Sequence, residues 1–366
     1  MRKHRWIWLI PVGMLLSACG SGAAGSPPSS TSAAPSATAS KSQALIVVAD
    51  HEPGAPTAST LRLLRADGTQ VQTLNVKAGV QLVAAAGSRI FVHSGRALKA
   101  VHQNGSVEEL GDIGDSIDRF AASPDGTRWM WGTTDGRNSQ VHLAGDGISP
   151  RVVAQSQQEG RAIEPFSWTP AGAFLVDNPI GIGGYILFDF AGGAAQKLDP
   201  TSYQPSPLSH TNDCGFSDLA KDATMACFPL GGDPNSRSLK IIKPDGSAST
   251  IQLAMPRFRQ NGDAYFSRDG KLLTVAGATG VGADNKPEQY GTDLVTVSDA
   301  SIRRLAIDGV RLAPFLKWQS WLDDGSLVVW RPDGAAGGAP GIFVVSPGGT
   351  VTQISRGGYA IGVLGG

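Results

Sequence analysis

Apolar positions in this chain come in short unbroken runs rather than in helical stripes. "RIFV" (89–92), "AFLV" (173–176), "LLTV" (272–275) and "LVVW" (327–330) contain almost no polar alternation. A strand with one wet face alternates apolar and polar residues, whereas a strand covered on both faces does not. Past residue 43, no stretch keeps a 3.6-residue period without a Gly or Pro break. The pattern predicts an all-β chain of short strands, many of them packed on both sides.

A longer rhythm is laid over these runs. The phrase strand, short turn with Gly, Asp or Asn, strand recurs as "LRLLRADGTQVQTL" from 61, "LKAVHQNGSVEEL" from 98 and "VHLAGDGISPRVV" from 141. It continues as "YILFDFAGGAAQKL" from 185, "LKIIKPDGSASTIQL" from 239, "LVTVSDASIRRL" from 294 and "IFVVSPGGTVTQI" from 342. The spacing is about 47 residues, a propeller-blade period. A second strand–turn–strand precedes every copy but the first, so each period supplies a four-stranded antiparallel blade. Radial stacking of such blades covers both faces of each sheet. The expectation is a seven-bladed β-propeller, with six blades as the alternative if the glycine-rich end does not pair. "ALIVVAD" (44–50) reads as the second strand of blade one, and "GYAIGVLGG" (358–366) as its missing inner strand. That pairing leaves no open edge in the ring.

The start of the chain reads differently. Arg2, Lys3, His4 and Arg5 precede "WIWLIPVGMLL", an apolar stretch too short for a comfortable membrane span. It runs into Leu16-Ser17-Ala18-Cys19, which resembles the bacterial lipobox. The resemblance implies a signal peptide over 1–18 and lipidation of Cys19, hence a membrane anchor rather than a span. Residues 20–42 are almost wholly Gly, Ser, Ala, Pro and Thr and predict a disordered tether. A flexible coil of that length reaches roughly 25–30 Å. The organisation expected is therefore signal 1–18, anchor and linker 19–42, propeller 43–366. The address expected is the bacterial cell envelope, on the outer side of the cytoplasmic membrane or on the outer membrane.

Composition narrows the partners. Thirty-one basic and 31 acidic residues balance, which argues against nucleic acid, whose binding needs a clustered positive field. Beyond Cys19 only Cys214 and Cys227 remain. An oxidising compartment favours a disulfide between them, the alternative being two buried free thiols.

Candidate chemistry is sparse. The Asp-Gly pairs at 125–126 and 269–270 fit turn chemistry, since Asp tolerates the bridge region and Gly the left-handed one. His51, His93, His102, His142 and His210 form no zinc pattern, and there is no nucleophile elbow or phosphate-binding glycine loop. No metal or cofactor is expected. Trp129, Trp131, Trp168, Trp318, Trp321 and Trp330 fall in predicted inner strands and suit packing between blades better than sugar stacking. The long connections 51–59, 199–213, 229–238, 277–290 and 331–340 are expected to share one face. They carry Tyr203, His210, Asp233, Arg237, Asp284, Lys286, Glu288 and Tyr290, the candidate ligand or partner residues.

"FSRDGKLLTVAG" and "SPDGTRWMWGTTDGRNSQVHLAGDG" resemble the repeat of the TolB-type and WD-like propellers of bacteria, whose phrase runs Phe-Ser-Pro-Asp-Gly-Lys and then an apolar strand. The likeness is clear at 120–147 and 266–276, partial at 315–330, and elsewhere only a rhythm. It implies architecture and is nearly silent on activity. The function expected is a monomeric, membrane-anchored binding or scaffolding module. The alternative is a hydrolase or lyase acting on a glycan or small molecule at the central funnel.

Overall fold

The structure is a computed structural model. It describes residues 44–365 except 55, 136–137, 158–160, 180–193, 209–213, 230–237, 254–259, 279–289, 314 and 334–337. The expected signal peptide, Cys19 and tether lie outside the described residues.

Almost every described element is a strand, the exception being a 3-10 turn at Lys317–Ser320. Five sheets have four antiparallel strands each, spanning 119–156, 161–207, 214–252, 260–304 and 311–355. A sixth has eight strands. In it, Leu45–Ala49 pairs antiparallel with Ser59–Leu64 on one side and with the C-terminal Tyr359–Leu364 on the other. Tyr359–Leu364 in turn meets Gln81–Ala86 through the single parallel pair Gly362↔Ala85. That contact divides the eight strands into two antiparallel halves of four, one spanning 45–76 plus 359–364 and the other 81–112.

The apolar runs fall where two-sided burial needs them. Leu45–Ala49 and Gly341–Val345 are buried at every residue, and Ile90 to His93 is buried throughout. The outermost strands, such as Val107–Asp112 and Ala248–Gln252, are largely exposed. Each core cluster joins one sheet to the next in sequence. Leu239, Ile241 and Phe228 pack on Phe266, Leu273 and Val275, for example. Another cluster packs Ile46, Val48 and Val363 on Val328, Ile342 and Val344, joining the last sheet to the first. The stacking is therefore cyclic, the arrangement of a β-propeller.

The Asp-Gly pairs are turns. Gly126 N donates to Ser123 O and Gly270 N to Ser267 O, each at 2.8 Å, with φ of +70° and +72° at the glycines. Asp269 Oδ1 accepts from Ser267 Oγ at 2.7 Å and from Lys271 N at 3.1 Å, which uses the carboxylate inside its own hairpin. Cys214 and Cys227 are joined by a disulfide across adjacent strands, with Cα atoms 5.6 Å apart and both residues fully buried.

Candidate functional site

Several of the innermost strands border a cavity of about 330 Å³. Gln81–Ala86, Arg119–Ala122 and Arg161–Thr169 each contribute wall residues, as does Ile361 of the C-terminal strand. The 311–355 sheet contributes something else. Its first strand is only Arg311–Leu312, and the chain then leaves the sheet through Phe315, Leu316 and the 3-10 turn before rejoining it at the Trp321↔Leu327 bridge.

That detour is pinned to other sheets by specific bonds. Lys317 Nζ donates to Phe166 O at 2.7 Å and lies 5.7 Å from the Phe166 ring centre. Gln319 Nε2 donates to Ala85 O at 3.1 Å. The Arg268 guanidinium sits 5.1 Å from the Trp318 ring centre, and Arg268 Nε donates to Trp321 O at 3.1 Å. Burial depresses the Arg268 guanidinium, and Asp323, 2.8 Å away, opposes that. Lys317 has φ +48°, a left-handed backbone that costs a non-glycine residue on the order of 1 kcal/mol. The tertiary bonds hold it there.

The lining combines aromatic faces with polar groups: Phe120, Trp168, Phe315 and Trp318 beside Asp118, Arg119 and Ser167. Arg119 Nε lies 2.7 Å from Glu164 Oε2, so that cation is already engaged at the wall. Exposure falls along the inner strand from Asp118, which is exposed, to Ala121 and Ala122, which are buried. The cavity is therefore open at the end where the inner strands begin and narrows toward their first turns. The connections from second to third strands emerge at that same open end.

Most of the candidate residues expected from sequence cannot be placed at this mouth. His210, Asp233, Arg237, Asp284, Lys286 and Glu288 lie outside the described residues, and of Tyr290 only the backbone, opening the strand Tyr290–Thr296, is described. Tyr203 requires a correction. It sits in the turn between Ala194–Leu198 and Pro205–Pro207, the third and fourth strands of its sheet, so it belongs to the opposite end of the molecule. Grouping 199–213 as a single loop overlooked the three-residue strand 205–207, whose two prolines hide it.

The tryptophans are mainly packing residues. Trp129 and Trp131 belong to the core between the 81–112 and 119–156 sheets, and Trp131 stacks on His142 with ring centres 5.0 Å apart. Burial lowers the His142 pKa. Trp168 and Trp318 also line the cavity. Sequence reasoning did not single out Phe315, Lys317 or Gln319. Their signal was an interruption, "APFLKWQSW", where an inner strand was due. Among the described residues no group of three or more His, Cys, Asp or Glu side chains is arranged to hold a metal ion.

No protein-family model matches the chain, and no curated protein matches it in sequence. Solved structures do resemble it. Oligogalacturonate lyase from Vibrio parahaemolyticus matches with TM-score 0.54 at 11% identity, over 84% of this chain and 92% of that one. A 6-phosphogluconolactonase candidate from Bacteroides uniformis matches with TM-score 0.51 at 11% identity, over 88% and 99%. TolB from Acinetobacter baumannii aligns with TM-score 0.43 at 13% identity, over 87% and 82%, too loosely to support an argument. At these identities the likeness is one of fold. It defines the class as a β-propeller, and function has to be argued from the site.

Proposed function

We propose that this chain is a lipid-anchored envelope protein whose β-propeller, read as seven blades, binds a small ligand in its central cavity and works as a binding or scaffolding module. The observation that carries this reading is the cavity itself. Aromatic faces and a few polar groups converge in a concavity of about 330 Å³, within the range of small-ligand sites. Arg119, Lys317 and Gln319 of the wall are engaged by protein partners, which fixes the walls that a ligand would meet. The seven-blade count is supported by the pairing of Tyr359–Leu364 with Leu45–Ala49, which completes the first blade. The six-blade alternative required that segment to stay unpaired. Anchoring through Cys19 rests on the lipobox resemblance and is tested by labelling cells with a palmitate analogue, with Cys19→Ser as the unlabelled control. The long-loop residues from His210 to Tyr290 remain proposed partner contacts around the mouth.

A hydrolase or lyase at the same cavity is the second reading. Asp118 gives it a carboxylate, and the structural neighbours include proteins named as a lyase and a lactonase candidate. Tryptophan fluorescence separates the two readings. Titration with oligogalacturonate and with a neutral glucan oligomer is expected to give a saturable change through Trp168 and Trp318, lost in Trp318→Ala, with the sugar recovered intact. Release of cleaved sugar favours the enzyme; a flat titration with both sugars removes the glycan form of the proposal.

A further inference from the structure

A second concavity, of about 460 Å³, lies between the 119–156 and 161–207 sheets, at the end away from the cavity's mouth. Its rim is formed by the 123–127 and 169–172 turns, and Tyr203 closes one side. Trp168 lines both this groove and the central cavity.

Tyr203 is buried to 9% exposure with φ +57°, a left-handed conformation that is costly for a bulky residue. Two guanidiniums are set over its ring, Arg128 at 5.9 Å and Arg151 at 5.1 Å from the centre. Arg128 Nη1 donates to the Tyr203 hydroxyl oxygen at 2.8 Å. The hydroxyl's own proton has no acceptor among the described residues. A third cation arrives from Lys197, whose stem crosses Gly172 so closely that a Cβ there would stand 2.7 Å from Lys197 Cε. The glycine is what makes room for the lysine.

Two carboxylates share the rim, both bonded within their own turns, and the Arg128 charge also acts on Asp125. Asp199 Oδ1 accepts from Ser202 N at 2.7 Å and Thr201 N at 2.9 Å, and those bonds hold its carboxyl below the ordinary range. Asp125 Oδ1 accepts from Ser123 Oγ, from Thr127 N at 3.0 Å and from Thr127 Oγ1 at 2.9 Å. Among the described residues, none of Arg128, Arg151 and Lys197 has an ion-pair partner. Two cations, Arg128 and Lys197, therefore line one concavity beside a phenol with a proton to donate, and Arg151 adds its charge from beside the Tyr203 ring.

We propose that this groove binds a phosphoryl group, held by Arg128 and Lys197 with the Tyr203 hydroxyl as a third donor and the Arg151 charge beside them. The guanidiniums cover the Tyr203 ring, so the ring is not offered for stacking a sugar or base, and recognition rests on charge. Cationic arms with a hydroxyl donor match the free oxygens and negative charge of a phosphoryl group, three oxygens and a charge near −2 in a monoester, two oxygens and a single charge in a diester. The source is either a soluble phosphate monoester or the phosphodiester headgroup of a lipid. The site shares Trp168 with the central cavity but has its own polar groups, and neither reading depends on the other.

Calorimetry on the full chain carrying Cys19→Ser tests the proposal, with inorganic phosphate standing for the monoester and glycerophosphoglycerol for the headgroup. Saturable binding of either probe is expected, weakened about tenfold or more in Arg128→Gln and in Lys197→Gln. Gly172→Ala, which displaces the Lys197 arm, should weaken it too. Arg128→Lys should retain part of the affinity, which separates lost charge from a misfolded groove. Asp269→Ala, in a turn of the 260–304 sheet, should bind as the unmodified groove does. Preference for one probe identifies the source. No saturable binding of either probe at millimolar concentration, or binding that Arg128→Gln and Lys197→Gln leave unchanged, overturns the proposal.

Discussion

Lys317 reaches Phe166 across the middle of the molecule: its Nζ donates to the Phe166 carbonyl at 2.7 Å, between residues 151 positions apart. The bond links the last sheet to the 161–207 sheet, which is not its neighbour in the ring. The buried apolar clusters lie between adjacent sheets. This contact and the Gln319–Ala85 bond act across the centre instead.

Removing the lysine arm should therefore loosen the centre. Lys317→Ala loses a charge-assisted bond worth about 2 kcal/mol but keeps a non-glycine residue at φ +48°. Lys317→Gly loses the same bond and relieves the backbone, so it should be more stable than the Ala variant by about 1 kcal/mol. Urea unfolding of both checks this, and equal stabilities would remove the argument from backbone strain.

Gly362 is the tightest point of the closure. A Cβ there would overlap the carbonyl and the side chain of Ala85 on the neighbouring inner strand. Gly362→Ala should cost on the order of 2–3 kcal/mol through overpacking and displaced pairing. Gly349→Ala, at φ +85° with nothing within 4 Å, is the control for backbone strain alone and should cost about 1 kcal/mol. Deleting 358–366 should lower the melting temperature further than either, since Ala360, Ile361, Val363 and Leu364 are all buried.

Asp218 sets a pH dependence. It is buried in the wall between the 214–252 and 260–304 sheets, and burial raises its carboxyl to about 7 although Phe266 N and Leu219 N both donate to it. The folded state then holds a proton that the unfolded chain, at its ordinary 3.8, has released. The stabilisation is full below about pH 4 and is lost as pH rises to about 7, at up to ~1.4 kcal/mol per pH unit. Denaturant melts between pH 5 and 8 should show this slope, and Asp218→Asn should flatten it. Parallel slopes in the two proteins would assign the dependence elsewhere.

Asp269 should matter only as a turn residue. The bond from Ser267 Oγ, followed by that from Lys271 N, holds its carboxyl below the ordinary range. Asp269→Ala is expected to cost about 1 kcal/mol in thermal unfolding and to leave sugar and phosphate binding unchanged. A loss of either ligand at unchanged stability would make it a site residue after all.

How much of this was written in the sequence follows from which interactions are local. A hairpin needs an apolar run, a turn residue tolerant of positive φ and a second run, all within about a dozen positions. "YFSRDGKLLTVAG" contains the whole prescription, and Asp269–Gly270 duly forms the bend. Two-sided burial was legible in the same way, because the loss of alternation is itself the signal. The strand that completes the first blade was legible as an excess at one end of the chain and a deficit at the other.

The sites were not legible, because each is made by residues that only stacking brings together. Lys317 meets Phe166 and Gln319 meets Ala85 because the 311–355 sheet gives up its inner strand, and nothing near residue 317 names those partners. Tyr203 meets Arg128 and Arg151 because two successive sheets place their turns at one end. The sequence by itself determined most of the strands and turns and their cyclic order, all of which rest on short-range pattern and burial. Only the tertiary structure decided which side chains face one another across the centre and between the sheets. Those meetings depend on register, and register is set by the packing of the whole ring.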